Sequence, residues 1–201
     1  MEEYLKDVRN NIFIFSTTEI SENDHPKDNL YMWGHYGNGH RGIAIEFDTS
    51  LLTGSVLKQQ EKLGGITVDV NAPWSNIKYQ DELPEITCEH IYHCVMHKKD
   101  AELEKILELR LFSKSIEWKI EKEWRLMWHN DETKLKIVRL DLLDDTITAV
   151  YLGCRIPDDI NDDIIFETKS HFPKAEIFKA RKVKGKFALD FERILMPSNR
   201  I

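Results

Sequence analysis

The sequence predicts a single α+β domain over residues 1–201, with a mainly antiparallel sheet and helices inserted between its strands. Three observations carry this. Runs of short β-rich segments are joined by turn signals, with helices inserted between them. One stretch without Gly or Pro, residues 85–113, reads as a long helix in their midst. No repeat, low-complexity tract or Pro/Gly-rich linker divides the chain.

The elements follow in order. Residues 1–10 form an N-terminal arm, with a short helix over 2–9. Residues 11–16 (Asn-Ile-Phe-Ile-Phe-Ser) read as a buried strand. After a polar loop, Asp28 or Asn29 caps a short helix, 30–36, that Gly37 ends. Asn38-Gly39 is a turn signal, and residues 42–47 alternate as a strand. Strand signals are weak at 66–70 and 77–79. Within 85–113, Ile91, Cys94 and Val95 point one way and Leu103, Ile106, Leu107 and Leu111 another. This predicts a kink near 98–100. A strand follows over 120–129. Asn130-Asp131 turns into residues 135–140, and 147–152 is another strand. Pro157 opens a helix that Pro173 closes. Strands 176–179 and 187–191 flank a Lys-Gly-Lys turn.

Composition narrows the function classes. With 41% hydrophobic and 31% charged residues the chain is not of the disordered class. No apolar run approaches the roughly 18 residues of a spanning helix, so no membrane partner is expected. The start, Met1-Glu2-Glu3-Tyr4-Leu5-Lys6, is acidic and does not read as a secretory signal. Three cysteines, Cys88, Cys94 and Cys154, make no disulfide framework and fit a reducing cytoplasm. A net charge of −7 disfavours broad nonspecific binding to nucleic acid, although residues 174–186 carry a basic run.

The most informative constellation lies in strand 120–129. Period-two alternation puts Glu121, Glu123, Arg125, Met127 and His129 on one face. Ile120, Trp124, Leu126 and Trp128 form the other, with Lys122 the polar exception. The carboxylates then sit roughly 7 Å apart, with an arginine next in line and Lys114 upstream. Such a pair under a basic clamp can orient a hydroxyl and stabilise a developing cation or act as a general base. The same residues equally suit a solvated face laced by ion pairs of roughly 0.2–1 kcal/mol each.

A second constellation is Met32-Trp33-Gly34-His35-Tyr36, followed by His40-Arg41-Gly42 at a strand entry. Helical spacing pairs Met32 with Tyr36 and Trp33 with Tyr36. His40 stands where a rigid scaffold often holds a functional side chain. The simpler alternative is that Trp33 and Tyr36 anchor the loop while both histidines are solvated. A third, His90-x-x-His93-Cys94-x-x-His97, has i, i+4 metal-ligand spacing. It lacks an acidic residue in the catalytic position, and four ligands from one helix make a poor tetrahedron, so no metal site is assigned. Ser16, at the end of the first strand, carries a hydroxyl that either touches a ligand or turns the chain.

These blocks together resemble a bacterial family, domain of unknown function 2971. The resemblance rests on Phe15-Ser16, Met32-Trp33-x-His35-Tyr36-x-x-x-His40-x-Gly42, Ile77-x-Tyr79, Lys114-x-x-x-Trp118-x-x-Glu121-x-Glu123-x-Arg125 and Tyr151-Leu152-Gly153, from about Ile12 to Phe178. It implies association with phage defence or toxin systems. By a further analogy to ADP-ribosyltransferases, it implies an enzyme acting on a nucleotide or nucleic-acid end, with NAD as the implied cofactor. The resemblance casts Glu123, Glu121 and His35 as catalytic. Trp33, Tyr36, His40, Ser16, Lys114 and Arg125 would bind the ligand. The family's usual N-terminal segment, Tyr-rich with Asn-Asp-Pro-x-Glu, has no counterpart here, which implies a chain that is either inactive alone or completed by a protein partner that supplies it. The rival readings are a noncatalytic binding subunit of a defence or anti-defence complex, and a metal-dependent nuclease.

Overall fold

The computed structural model describes residues 12–21, 25–63, 66–67, 74–97, 106, 109–130 and 139–195. In chain order these hold β1 (Ile12–Thr18), a 3-10 turn (Pro26–Asp28), α1 (Leu30–His35), β2 (Ile43–Phe47), α2 (Thr49–Leu63), β3 (Ile66–Thr67), β4 (Trp74–Asn76) and β5 (Lys78–Gln80). There follow α3 (Cys88–His97), β6 (Ser113–Ser115), a 3-10 helix (Ile116–Glu121), β7 (Glu123–Asn130), β8 (Ile147–Leu152), α4 (Asp158–His171), β9 (Glu176–Lys182) and β10 (Leu189–Arg193). The expected α+β class, with mainly antiparallel strands, is what these elements form. Their contacts group the chain into two compact units, residues 1–19 with 60–138 and residues 20–59 with 139–201. Among the described residues no helix is long and apolar enough to cross a membrane.

In the first unit β7 is central. β1 lies antiparallel along one side of it, with Ser16 opposite Arg125 and Thr18 opposite Glu123. β3 and β4 share its other side. Leu126 on β7 is fully buried, and Phe15 meets Trp74 edge-on across the sheet. β1 is half-covered rather than buried as predicted, for Ile14 stays exposed at the sheet edge.

Two predicted elements change here. The strand expected from Ile120 starts at Glu123. Residues Ile116–Glu121 wind into a 3-10 helix, and Lys122 takes a left-handed conformation, φ 47° and ψ 48°, that stops the helix and turns the chain into β7. The helix expected over 85–113 starts at Cys88 instead. Thr87 and His90 cap it reciprocally: the His90 N–H donates to Thr87 Oγ1 and the Thr87 N–H to His90 Nδ1. Helix recurs at 109–111, but Ser113–Ser115 leaves it to pair in parallel with β5. The predicted kink at 98–100, the arm at 1–10 and most of 135–140 lie outside the described residues.

In the second unit β8 is central, antiparallel to β2 and parallel to β9, with β10 beyond β9. Its residues Ala149 to Leu152 are all buried, as a strand covered on both faces requires. Val150 and Leu152 pack with Ile156 and Ile177 and with Ile164 and Ile165 of α4. Ala149 and Tyr151 face Trp33, Phe178 and Phe191. α4 crosses from β8 to β9 as the predicted helix between Pro157 and Pro173. The last hairpin is shifted: β9 runs on to Lys182, which pairs with Leu189, so Phe187 lies in the exposed turn rather than in a strand.

A missed element sits in this part of the chain. α2 occupies residues to which the sequence assigns no element. Asp48 caps it by accepting the N–H groups of Ser50 and Leu51 at 2.9 and 3.0 Å. Leu52, Ser55 and Val56, at i, i+3 and i+4, are its buried face. Gly54 and the hydroxyl residues around it lower helix propensity enough to hide this stripe.

Candidate functional site

The residues expected to form a site divide between the units. Ser16, Lys114, Glu121, Glu123 and Arg125 lie in the first; Trp33, His35, Tyr36 and His40 lie in the second.

In the first unit they converge. Lys114 Nζ donates to Glu121 Oε2 and, at 3.2 Å, to Glu123 Oε2. Arg125 Nε donates to Glu123 Oε1 at 2.7 Å, and its Nη1 to the Leu111 carbonyl. Ser16 adds a hydroxyl hydrogen bond to the Glu123 carboxylate. The two glutamates are 2% and 8% exposed, so this is a buried network and not the solvated face that the sequence also allowed. A strand alone would hold the carboxylates roughly 7 Å apart. The 3-10 helix and the left-handed turn at Lys122 instead bring both to one ammonium.

Burial opposes the charge on Glu123, but hydrogen bonds from Arg125, Ser16 and Lys114 outweigh it and hold its carboxyl below the usual range. The same contacts act on Lys114. Burial disfavours its ammonium, and both glutamates more than compensate, raising its pKa. The lysine also lies 4.8 Å from the Trp118 ring centre, a cation–π contact. Tyr79 completes the cluster. The Glu123 backbone N–H donates to its hydroxyl oxygen at 2.8 Å, and burial followed by the nearby carboxylates raises its pKa. Tyr79 and Trp118 appear in the motifs above but were given no role there. Nothing in strand periodicity connects residues so far apart in the chain.

In the second unit, Trp33 is a core residue. It is 3% exposed, donates its indole N–H to the Lys27 carbonyl at 2.6 Å, and stacks on His40 and Phe191. Its place is that of an anchor for the loop. Tyr36 is exposed, as is His35, which stacks on Tyr31 and meets Tyr36 edge-on. His40 has φ 68°, third in a run of left-handed residues with Asn38 and Gly39. Its Nδ1 is buried with no hydrogen-bond partner. Burial, then the Lys182 and Arg155 charges, lower its pKa and keep the ring neutral.

A third group went unread in the sequence. Glu46 accepts Thr148 Oγ1 at 2.9 Å and Tyr151 Oη at 2.6 Å, and His25 Nε2 lies 3.4 Å from it. His25 Nδ1 accepts the Lys27 N–H, which places the ring proton on Nε2, facing Glu46. Burial works against the Glu46 charge but the three side chains prevail, so its pKa falls; burial and that carboxylate push Tyr151 up. β2–β8 pairing brings residues 46, 148 and 151 together, and His25 meets them from the segment just before the 3-10 turn.

On α3, His90 Nδ1 is occupied by the cap and His93 lies 3.7 Å from Glu89. The side chains of Cys94 and His97 lie outside the described residues. Among the described residues no three His, Cys, Asp or Glu are grouped to hold a metal ion.

Comparison with known proteins gives one match. The family model described as "Protein of unknown function (DUF2971)" matches residues 32–126, just under half of the chain. No curated protein and no solved structure matches. The matched stretch is shorter at both ends than the motifs suggested: it leaves out Phe15-Ser16 and Tyr151-Leu152-Gly153. It does contain both specific blocks, Trp33 to Gly42 and Lys114 to Arg125. Over residues 32–126 the chain is similar to the DUF2971 family.

Proposed function

We propose that this chain is a defence- or toxin-associated enzyme of the ADP-ribosyltransferase type, with NAD as its substrate and Glu123 as the carboxylate that steadies the cationic ribose of the transition state. The observation that carries this reading is that Glu123 is nearly excluded from solvent and yet held ionised by Arg125, Ser16 and Lys114. A carboxylate fixed in a low-dielectric site before reaction needs no reorganisation when positive charge develops beside it. The same shift makes Glu123 a poor general acid, which separates this chemistry from acid–base hydrolysis. Glu121, tied to Glu123 through Lys114, would orient a ribose hydroxyl. Lys114 and Arg125 already donate to the carboxylates and to a carbonyl. In this reading they tune Glu123, and phosphate is bound elsewhere.

A second reading has its own support. Each charge in the cluster is matched by an opposite one, as in a structural frame, and the chain would then be a noncatalytic binding subunit. The two readings part in one assay. Purified chain is incubated with labelled NAD, and nicotinamide release and transfer of label are followed. The transferase reading expects turnover that Glu123→Gln reduces by at least about 100-fold, with the melting curve still cooperative. A wild-type chain with no turnover, isolated with a stoichiometric partner protein, ends the transferase reading.

A further inference from the structure

The His40 turn gathers positive charge in a chain whose net charge is −7. Lys182 and Arg155 both act electrostatically on His40. The Arg155 backbone N–H donates to the His40 carbonyl at 2.9 Å, and its guanidinium lies 3.5 Å from the Gly39 carbonyl. The Arg41 guanidinium lies 3.9 Å from where a side chain at Gly39 would begin. Arg41, Arg155 and Lys182 are all exposed, and among the described residues none has an ion-pair partner.

The turn that presents them is rigid. Gly153 donates to the Gly42 carbonyl, and a Cβ on Gly153 would stand 2.3 Å from the His40 carbonyl oxygen. The backbone N–H groups of residues 39–42 are all committed to carbonyls within residues 33–38. An anion here is therefore met by side chains, not by a backbone nest. His40 stacks on the buried Trp33, which fixes its ring and leaves Nδ1 without a partner.

We propose that the second unit binds a phosphate monoester at this turn, with Arg41, Arg155 and Lys182 neutralising it beside the His40 ring. Charge-assisted contacts of this kind are the strong ones. Lys182 and Cys154, the neighbour of Arg155, also line a groove of about 950 Å³. That is room for the sugar and base of a mononucleotide. Asp158 and Asp162 line the same groove from α4, so a phosphate is favoured toward the Lys182 side. This site does not rest on Glu123 being catalytic, since binding is read without turnover.

The test titrates the full chain with inorganic phosphate and with AMP at pH 7.5, following the His40 ring resonances by NMR and affinity by calorimetry. Saturable movement of those resonances is expected with at least one probe. Equal affinities identify free phosphate as the ligand, and tighter AMP binding identifies a nucleotide; both support the site. Lys182→Glu should weaken binding by at least about tenfold. Lys186→Glu, the same charge change in the exposed turn of the same hairpin, should alter it by less than about twofold. Arg155→Ala should weaken it by about tenfold with an unchanged melt. Unmoved His40 resonances at millimolar phosphate and AMP, or equal losses in Lys182→Glu and Lys186→Glu, would overturn the proposal.

Discussion

At the scale of single residues, Lys114 decides the character of the cluster. Its ammonium stands between two glutamates that are almost wholly out of water. Exposed ion pairs are worth up to about 1 kcal/mol, whereas removing one partner of a buried pair leaves an uncompensated charge and costs about 3–5 kcal/mol. Lys114→Met should therefore lower unfolding stability by about 3–5 kcal/mol in urea titrations. Adding Glu121→Gln should restore part of that loss, because one stranded carboxylate is then gone. A loss under about 1 kcal/mol would mean the network is solvated and its glutamates are not prepared for chemistry.

At the scale of elements, the junction between the 3-10 helix and β7 places both carboxylates. Lys122 holds a left-handed backbone there. A β-branched side chain resists that region by about 1–2 kcal/mol, while glycine accepts it freely. Lys122→Val should destabilise by about 1–2 kcal/mol in the same titrations, and Lys122→Gly should be near neutral. The continuous strand from Ile120 suggested by the alternation gives the opposite order, since valine favours strands and glycine weakens them. Stability alone thus separates the two geometries. Alternation failed at this junction because Lys122 to Leu126 reads the same whether the preceding turn is extended or 3-10; the difference lies in contacts to Lys114 and Tyr79.

At the scale of the whole molecule, each unit carries a glutamate held below its usual pKa, Glu123 in the first and Glu46 in the second. The unfolded value is 4.5 for both. Above it both groups are ionised in either state, and their contribution to stability is complete. As pH falls below it the unfolded chain takes up protons first, and the contribution drains away until the folded values are passed. Lys114 has the opposite sign. Its raised pKa contributes fully below 10.5 and is lost as pH rises through the folded value. Unfolding free energies at pH 7, 5, 4 and 3 should fall steadily below pH 5, and Glu123→Gln should flatten part of that slope. A mutant profile parallel to the wild type would mean Glu123 titrates as a free carboxyl.

The sequence by itself determined the fold class, the helix that Asn29 caps, the turn at Asn38-Gly39, the apolar β8 and the helix between two prolines. These are set by neighbours within a few positions: a cap, a positive φ, a run of apolar side chains. It also carried the family blocks. It did not reveal α2, whose buried stripe is masked by weak propensity, nor the shared ammonium beneath Glu121 and Glu123, nor the Glu46–Tyr151–His25 group. Only the tertiary structure decided those, because each depends on charges and hydroxyls brought together from distant parts of the chain. Their pairing is fixed by what burial makes costly to leave unpaired.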